Sequence, residues 1–405
     1  MTTGCRISAR AQTFLSASIL MTLGLPMAAA QEGVAAGGNQ IDFPRELVLR
    51  PERVPYELER VDSNLGKASG PFRKEPELSQ DHVFRCVLQI GKDTNNAFAL
   101  IWDQPKRKLY VDLSRNLDLT DDPGGVFSST NKGFSQRFAD VTLPLKTAMG
   151  VYPVILDLRL SSDGSTSWVR AQLIASTLWQ AKVALGGEEW QVAVVDKLLS
   201  SEARAASKFL LLRPWAVRTN QVWFDAPASG IVPFPERLFW LGRAVKLEQR
   251  FETGGQTPVC KLELTPQQPP LTELELSGEF LSYAVLRDTN GYAVVLHGAP
   301  GAIKLPQGVY TVAAVWLKKG VTEALRDGTP PAVVKATNTA HLVLGGPLTN
   351  WVTLERRGQK LAMNYQLKGA DGESYRLARQ DREKPPEFTV YRGGKKVLAD
   401  KFQFG

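Results

Sequence analysis

The chain has 405 residues, with 49 Lys and Arg against 41 Asp and Glu, 43% apolar and 22% charged. That composition excludes a disordered polypeptide and is ample for two domains whose cores need no disulfide staple. The basic excess is mild and lacks a dense basic stripe with interleaved aromatics, which argues against nucleic acid as a partner.

Residues 1–30 read as a signal peptide. Arg6 and Arg10 precede a short apolar run, Phe14 to Leu25, which Pro26 breaks before Ala28-Ala29-Ala30. A positive start, a short apolar centre and small residues at the end are the order of a secretory signal, with cutting expected after Ala30. The run is shorter than the roughly 20 apolar residues that span a bilayer, and no later stretch approaches that length, so no transmembrane segment is expected. The expected location is the periplasm or the extracellular space. Cys5 lies before the apolar run, where it cannot serve as a lipoprotein cysteine. Cys86 and Cys260 survive the cut. In an oxidising compartment they form one disulfide or remain two separate buried thiols, and spacing does not choose between these.

Residues 31–80 form an N-terminal arm or linker. The first part is rich in Gly and Ala, and 46–80 carry many charges and prolines with little period. From residue 81 the text alternates in strand fashion: Val83 to Ile90, Ala97 to Trp102, Lys108 to Leu113, Phe138 to Leu145, Tyr152 to Leu160 and Ser167 to Ile174. Gln180 to Leu185 and Glu189 to Val195 flank Gly186-Gly187, a strong hairpin signal because glycine supplies the positive φ of tight turns. Residues 198–208 are the best local candidate for a short helix. Strands return at Val222 to Phe224, Arg237 to Trp240 and Val245 to Phe251. This first domain spans 81–265. The proline-dense stretch 266–270 is a linker that cannot join a sheet interior.

The second domain spans 271–405. Its strands include Glu273 to Leu276, then Tyr283 to Arg287 and Tyr292 to His297 around Asn290-Gly291, a hairpin cue. Further strands follow at Ala302 to Leu305, Tyr310 to Leu317, Ala340 to Leu344, Trp351 to Arg356, Leu361 to Leu367, Ser374 to Leu377, Phe388 to Tyr391 and Lys401 to Phe404. Short strands between turn residues make this an all-β chain of two antiparallel β-sandwich or barrel domains. Gly150-Val151-Tyr152 recurs as Gly308-Val309-Tyr310, and Leu185-Gly186-Gly187 recurs as Leu344-Gly345-Gly346. This is either an old duplication or the chance recurrence of short motifs common in strand-rich chains.

Two strings carry resemblances. Leu305-Pro306-Gln307-Gly308-Val309-Tyr310-Thr311-Val312 makes a tight turn into a core strand. With its surroundings, Leu271 to Leu317, it resembles the "LPxGxYxV" strand of carboxypeptidase-regulatory-like and other transthyretin-like domains. That resemblance implies a β-sandwich serving as an accessory or surface module. Asp112 to Asp122 places oxygen side chains at alternate positions, as a calcium loop requires. It looks like a degenerate EF-hand or dockerin-type loop, and it resembles the "LYVDLNxDGDLTDD" text of uncharacterised exported proteins of planctomycete and verrucomicrobial type. The candidate ligands are Asp112, Ser114, Asn116, Asp118 and Asp122, with affinity in the roughly millimolar range of extracellular modules. Leu117 replaces the usual turn glycine, and Pro123 stands where a bidentate glutamate belongs. The plain alternative is an acidic turn after a strand.

No catalytic motif stands out. His82, His297 and His341 lack metal-ligand spacing, and neither a G-x-S-x-G elbow nor a phosphate-binding glycine loop occurs. Catalytic residues and cofactors are therefore assigned as none, with weak calcium as the one exception. The leading function is a non-catalytic exported module that binds a protein, polysaccharide or envelope component, or a structural role there. Aromatic faces such as Trp190 and Trp351, just after turns, suit stacking or partner contact. The alternative is a carbohydrate-active hydrolase using Asp103, Asp157 and Asp196, provided that two of them lie about 5 to 10 Å apart.

Overall fold

The computed structural model describes residues 7–8, 42–54, 57–67, 72–91, 93–147, 150–163, 168–199, 208–217, 230–252, 258–289, 291–298, 301–320, 322–326, 333–336, 340–358, 360–377, 387–392 and 395–401. Among them the chain is strand and turn, with short 3-10 turns at Thr94–Asn96, Pro123–Gly125 and Trp215–Val217. The all-β class is as the alternation predicts. Most of the expected signal segment, the strand at 222–224, and residues 200–207 of the expected helix lie outside the described residues. No described helix is long and apolar enough to cross a membrane.

The fold divides into two compact units. One holds Asp42–Glu236 with Lys246–Thr265, and the other holds Arg237–Val245 with Pro266–Gly405 and the N-terminal residues. The first strand, β1 (Ile7–Ser8), belongs to the second unit. The first unit begins with β2 (Glu46–Arg53) and β3 (Glu59–Lys67). Residues read in sequence as an arm are thus strands inside a sheet. Leu47 and Leu49 of β2 point into the core between charged neighbours, and the charges had masked that alternation.

An antiparallel sheet follows from β3, β4 (Val83–Gln89), β5 (Ala97–Asp103), β6 (Lys108–Val111), β7 (Val126–Ser128), β8 (Ser135–Thr147), β9 (Gly150–Ser161) and β10 (Val169–Ala175). Its order is β7-β6-β5-β4-β3-β10-β9-β8, and edge strands β7 and β8 approach each other, so the sheet nearly closes into a barrel. The interior takes alternate residues: Phe98, Leu100 and Trp102 from β5, Leu156, Leu158 and Leu160 from β9, and Phe84 stacked on Trp102 at 4.9 Å. Truncating one such aromatic to alanine costs about 3–5 kcal/mol. On β8 the inward set is Gln136 and Phe138, then Val141, Leu143 and Leu145. The phase slips at a bulge between Phe138 and Val141, where Asp140 takes φ 55°.

A second sheet of this unit uses β11 (Thr177–Leu185), β12 (Glu188–Asp196), β13 (Lys208–Pro214), β14 (Ile231–Pro233), β16 (Arg243–Glu252) and β17 (Val259–Gln267). Within the unit its order is β14-β13-β12-β11-β2-β17-β16. Gly186 and Gly187 join β11 to β12 with φ of 61° and 83°, the two positive values a two-residue hairpin turn demands.

The second unit contains β15 (Arg237–Trp240), β18 (Leu271–Ser277), β19 (Leu281–Asp288), β20 (Tyr292–His297), β21 (Gly301–Pro306), β22 (Gly308–Lys319), β23 (Thr322–Arg326), β24 (Val333–Ala336), β25 (Ala340–Val343), β26 (Thr349–Arg357), β27 (Lys360–Lys368), β28 (Ser374–Leu377), β29 (Glu387–Arg392) and β30 (Lys395–Lys401). A sheet in the order β15-β20-β19-β22-β23-β28-β27-β26 faces a three-stranded sheet β21-β18-β25. Leu274, Leu276, Leu305 and Leu342 from the small sheet pack on Leu286, Val294, Val312 and Val315 from the large one, which makes a β-sandwich core. Most pairings are antiparallel, but β15 with β20 and β18 with β25 are parallel. The turn at Gln307 is locked because the Tyr310 hydroxyl donates to Pro306 O at 2.6 Å. β1 pairs with β29.

Leu185-Gly186-Gly187 turns a hairpin, whereas Leu344-Gly345-Gly346 leaves β25 and enters a cis bond to Pro347. The two copies therefore occupy unlike settings.

Cys86 on β4 and Cys260 on β17 are both free and buried, which selects the two-thiol alternative. Burial pushes their thiols up to about 11 and about 12 respectively, which suppresses the reactive thiolate. We expect the chain from residue 31 onward to titrate two thiols when denatured without reductant and to resist alkylation when native. A finding of no free thiol would contradict this arrangement.

Candidate functional site

The mouth of the barrel is built by the turn between β5 and β6 and by the entry to β8. Residues Gln104-Pro105-Lys106-Arg107 form the turn, closed by Arg107 N donating to Gln104 O at 3.1 Å. Proline at its second position presets the φ such a turn needs. Arg107 itself sits at φ 56°, an uncommon region for a long side chain. Asp103, fully buried at the end of β5, anchors the turn from behind. Its Oδ1 accepts from Lys106 N at 3.1 Å and from Ser79 Oγ at 2.8 Å, and its Oδ2 accepts from Ser79 N at 2.8 Å.

Inside the mouth, Trp102 Nε1 donates to Gln136 Oε1 at 2.8 Å, and Gln136 Nε2 donates to Gln104 O at 2.9 Å. Gln104 Nε2 donates to Gly133 O at 3.0 Å. These bonds tie β5, its turn and β8 into one floor. Above it lies a groove of about 420 Å³ lined by Gln104, Pro105, Arg107, Lys132, Gly133 and Gln136. Arg107 and Lys132 are exposed, and neither makes an ion pair among the described residues. Phe134, next to Gly133, is 56% exposed and meets His82 edge-on at 6.3 Å.

The aspartates proposed for hydrolysis have separate partners. Asp103 serves the turn just described. Asp157 on β9 lies on the face away from the barrel interior, clamped by the guanidinium groups of Arg53 and Arg137, and Arg53 also reaches Asp140 at 3.0 Å. This clamp holds the β8 bulge, since Asp140 N donates to Asp157 Oδ1 at 3.4 Å. Asp196 ends β12 opposite Lys208. Its Oδ2 is enclosed and takes no hydrogen bond among the described residues. Burial pushes its carboxyl up to about 6, against Lys208 and the Tyr152 hydroxyl, with a smaller push from Glu59. Burial likewise lowers Lys208. Tyr152, Trp179 and Phe251 wall this corner with ring centroids 4.4 to 6.5 Å apart. Neither Asp103 nor Asp157 is among the groups that perturb Asp196.

The acidic loop is drawn together by its own backbone. Asp112 Oδ1 accepts from Asn116 N at 3.1 Å and from Ser114 Oγ at 3.3 Å, and Asp112 Oδ2 accepts from Leu117 N at 2.9 Å. Asn116 Oδ1 accepts from Asp118 N at 2.7 Å, and Asp118 Oδ1 accepts from Thr120 N and Oγ1. The Thr120 bonds hold the Asp118 carboxyl below its usual range. Asp122 Oδ2 accepts from the N–H groups of Leu113 and Ser114. Among the described residues no three His, Cys, Asp or Glu converge as a metal site. The candidate ligands Asp112, Ser114, Asn116, Asp118 and Asp122 are linked in this loop by these hydrogen bonds and by Ser114 Oγ to Asp122 Oδ2 at 3.2 Å. The loop also serves as a clasp: Leu117 O accepts from Arg73 N at 2.9 Å, and Leu119 packs with Phe72 and Ile101, which fixes residues 72–79 on the barrel's outer face. Leu117 adopts φ 66° in place of the glycine.

Trp190 is buried beside its turn, contrary to the exposure its position suggested, while Trp351 is 54% exposed. Sequence reasoning missed Gln104, Arg107, Lys132 and Gln136. The nearest signal in the sequence is Gln104-Pro105-Lys106-Arg107, which falls between two expected strands. Sequence reasoning also missed a side-chain ladder across four strands, from exposed Glu52 through buried Gln180 and Gln191 to Arg213.

Asp196 yields a pH signature. Its unfolded carboxyl titrates near 3.8 and its folded one near 6, so the unfolded chain loses the proton first as pH rises. The fold therefore loses stability progressively across that window and regains it on acidification. Relative to the parent, Asp196→Asn should gain up to about 3 kcal/mol between pH 4 and 7, read from diverging denaturation midpoints. Parallel profiles would contradict the burial. Comparison with protein-family models, curated proteins and solved structures finds no match for this chain.

Proposed function

We propose that the chain is an exported, non-catalytic β-barrel and β-sandwich protein that binds a protein, polysaccharide or envelope component. The observation that carries this reading is the barrel-mouth groove, with a hydrogen-bonded floor and two cations that no described acid neutralises. A preformed concavity with a mainly apolar lining and a few convergent polar groups is how binding sites are commonly built. The secretory character of residues 1–30 supports export. The Leu305 to Val312 turn, locked by Tyr310, supports a transthyretin-like accessory role for the second unit.

One observation favours the hydrolase alternative: the raised carboxyl of Asp196 has the poise of a general acid. Against it, Asp103 and Asp157 are occupied in holding a turn and a bulge, so Asp196 lacks the second carboxylate that sequence reasoning supplied for glycoside hydrolysis.

A glycan array and an envelope-extract pull-down with the purified chain, run beside glycosidase substrates, test the choice. Retention of a ligand without turnover is expected. Turnover abolished by Asp196→Asn would replace this reading with the enzyme.

A further inference from the structure

We propose that the barrel-mouth groove is a site for an anionic sugar, a saccharide unit carrying a carboxylate or sulfate group. The inference rests on the binding-module reading and assigns its ligand class. Three features converge on it. Arg107 and Lys132 border the same groove without acidic partners among the described residues, so two positive charges face solvent there uncompensated. A guanidinium presents a planar fork that matches carboxylate and sulfate oxygens in pairs, and an ammonium adds a point charge. The floor suits hydroxyl groups. Gln104 Oε1 accepts no hydrogen bond among the described residues and stays available as an acceptor, while Gln136 is consumed by Trp102, Gln104 and Gly133 and keeps the floor rigid. Phe134 follows Gly133 of the lining in the chain, its exposed ring held by His82 and its carbonyl accepting from Ser162 N at 3.1 Å. A fixed, exposed aromatic ring is what the apolar face of a sugar ring stacks upon.

Backbone conformation adds to this. Arg107 and His82 both hold positive φ, 56° and 53°, and they are neighbours in the fold because Gln104 N donates to His82 O. Strained non-glycine residues gather where a side chain must be aimed. Here the strain aims Arg107, and Asp103 secures the turn beneath it. Exposed charges bind weakly one by one, so the site needs both cations together with the floor and Phe134.

Calorimetric titration of the purified chain tests the assignment. The probes are a galacturonate trimer, its fully methyl-esterified counterpart, a sulfated galactose disaccharide and inorganic sulfate. At least one charged saccharide should bind, and it should bind more tightly than both the ester and sulfate. Comparison of the uronate with the sulfated sugar tells which anion is preferred. Arg107→Asn combined with Lys132→Gln should weaken that binding about tenfold. Asparagine is chosen because it tolerates the left-handed backbone of position 107. Lys395→Gln with Lys396→Gln removes equal charge from an exposed strand of the other unit and should change nothing. Equal binding of the ester, equal binding of inorganic sulfate, equal loss in both double variants, or no binding of any probe would each overturn the assignment. If an array ligand is retained unchanged by the groove variant, the binding-module reading stands and only this site falls.

Discussion

The first unit depends on one hydrogen-bonded pair inside a nearly closed sheet. Trp102 on β5 and Gln136 on β8 meet across the barrel, and the floor of the mouth is built on that contact. A buried indole N–H without an acceptor is costly, and so is a buried amide without partners. The pair satisfies both, and Gln136 then has an N–H left for the carbonyl of Gln104. The turn that bears Arg107 is thereby fixed to β8, and the position of the groove follows from the curvature of the sheet.

Acidic residues in this chain mainly organise backbone. Asp103 holds a turn, Asp157 a bulge, and Asp112 a clasp that lays residues 72–79 over the outer face. Asp103 and Asp112 lie at or just beyond a strand end, where the ladder stops and N–H groups lose their partners, whereas Asp157 lies mid-strand on β9 opposite the bulge. A carboxylate that accepts several such bonds fixes the backbone or side chains that donate them. Asp196 is the exception, enclosed with an oxygen that has no described partner, which is why its proton is held to higher pH.

Much of the fold was legible because alternation and turn chemistry agree. Gly186-Gly187 marked its hairpin, since few other pairs supply two positive φ values, and Leu305 to Val312 marked its turn. β2 was misread because charged residues surround its buried Leu47 and Leu49, and β3 because buried Leu65 stands between Asn64 and Gly66, so both looked like an arm. The bulge on β8 was invisible, because the slip from Phe138 to Val141 depends on Asp140 and on a clamp formed by Arg53 from a distant strand. The candidate site was hidden for the same reason. Gln104 and Arg107 come from one turn, Lys132 from the entry to β8 and Gln136 from β8 itself, and Arg107 carries its positive φ without the glycine that would advertise it.

The most direct test of this account is equilibrium unfolding of Gln136→Leu. Removing the amide strands the Trp102 N–H and leaves the Gln104 carbonyl only its bond from Arg107 N, so the account predicts a loss of about 1–3 kcal/mol in the first unit. A variant as stable as its parent would contradict the claim that this contact organises the barrel mouth.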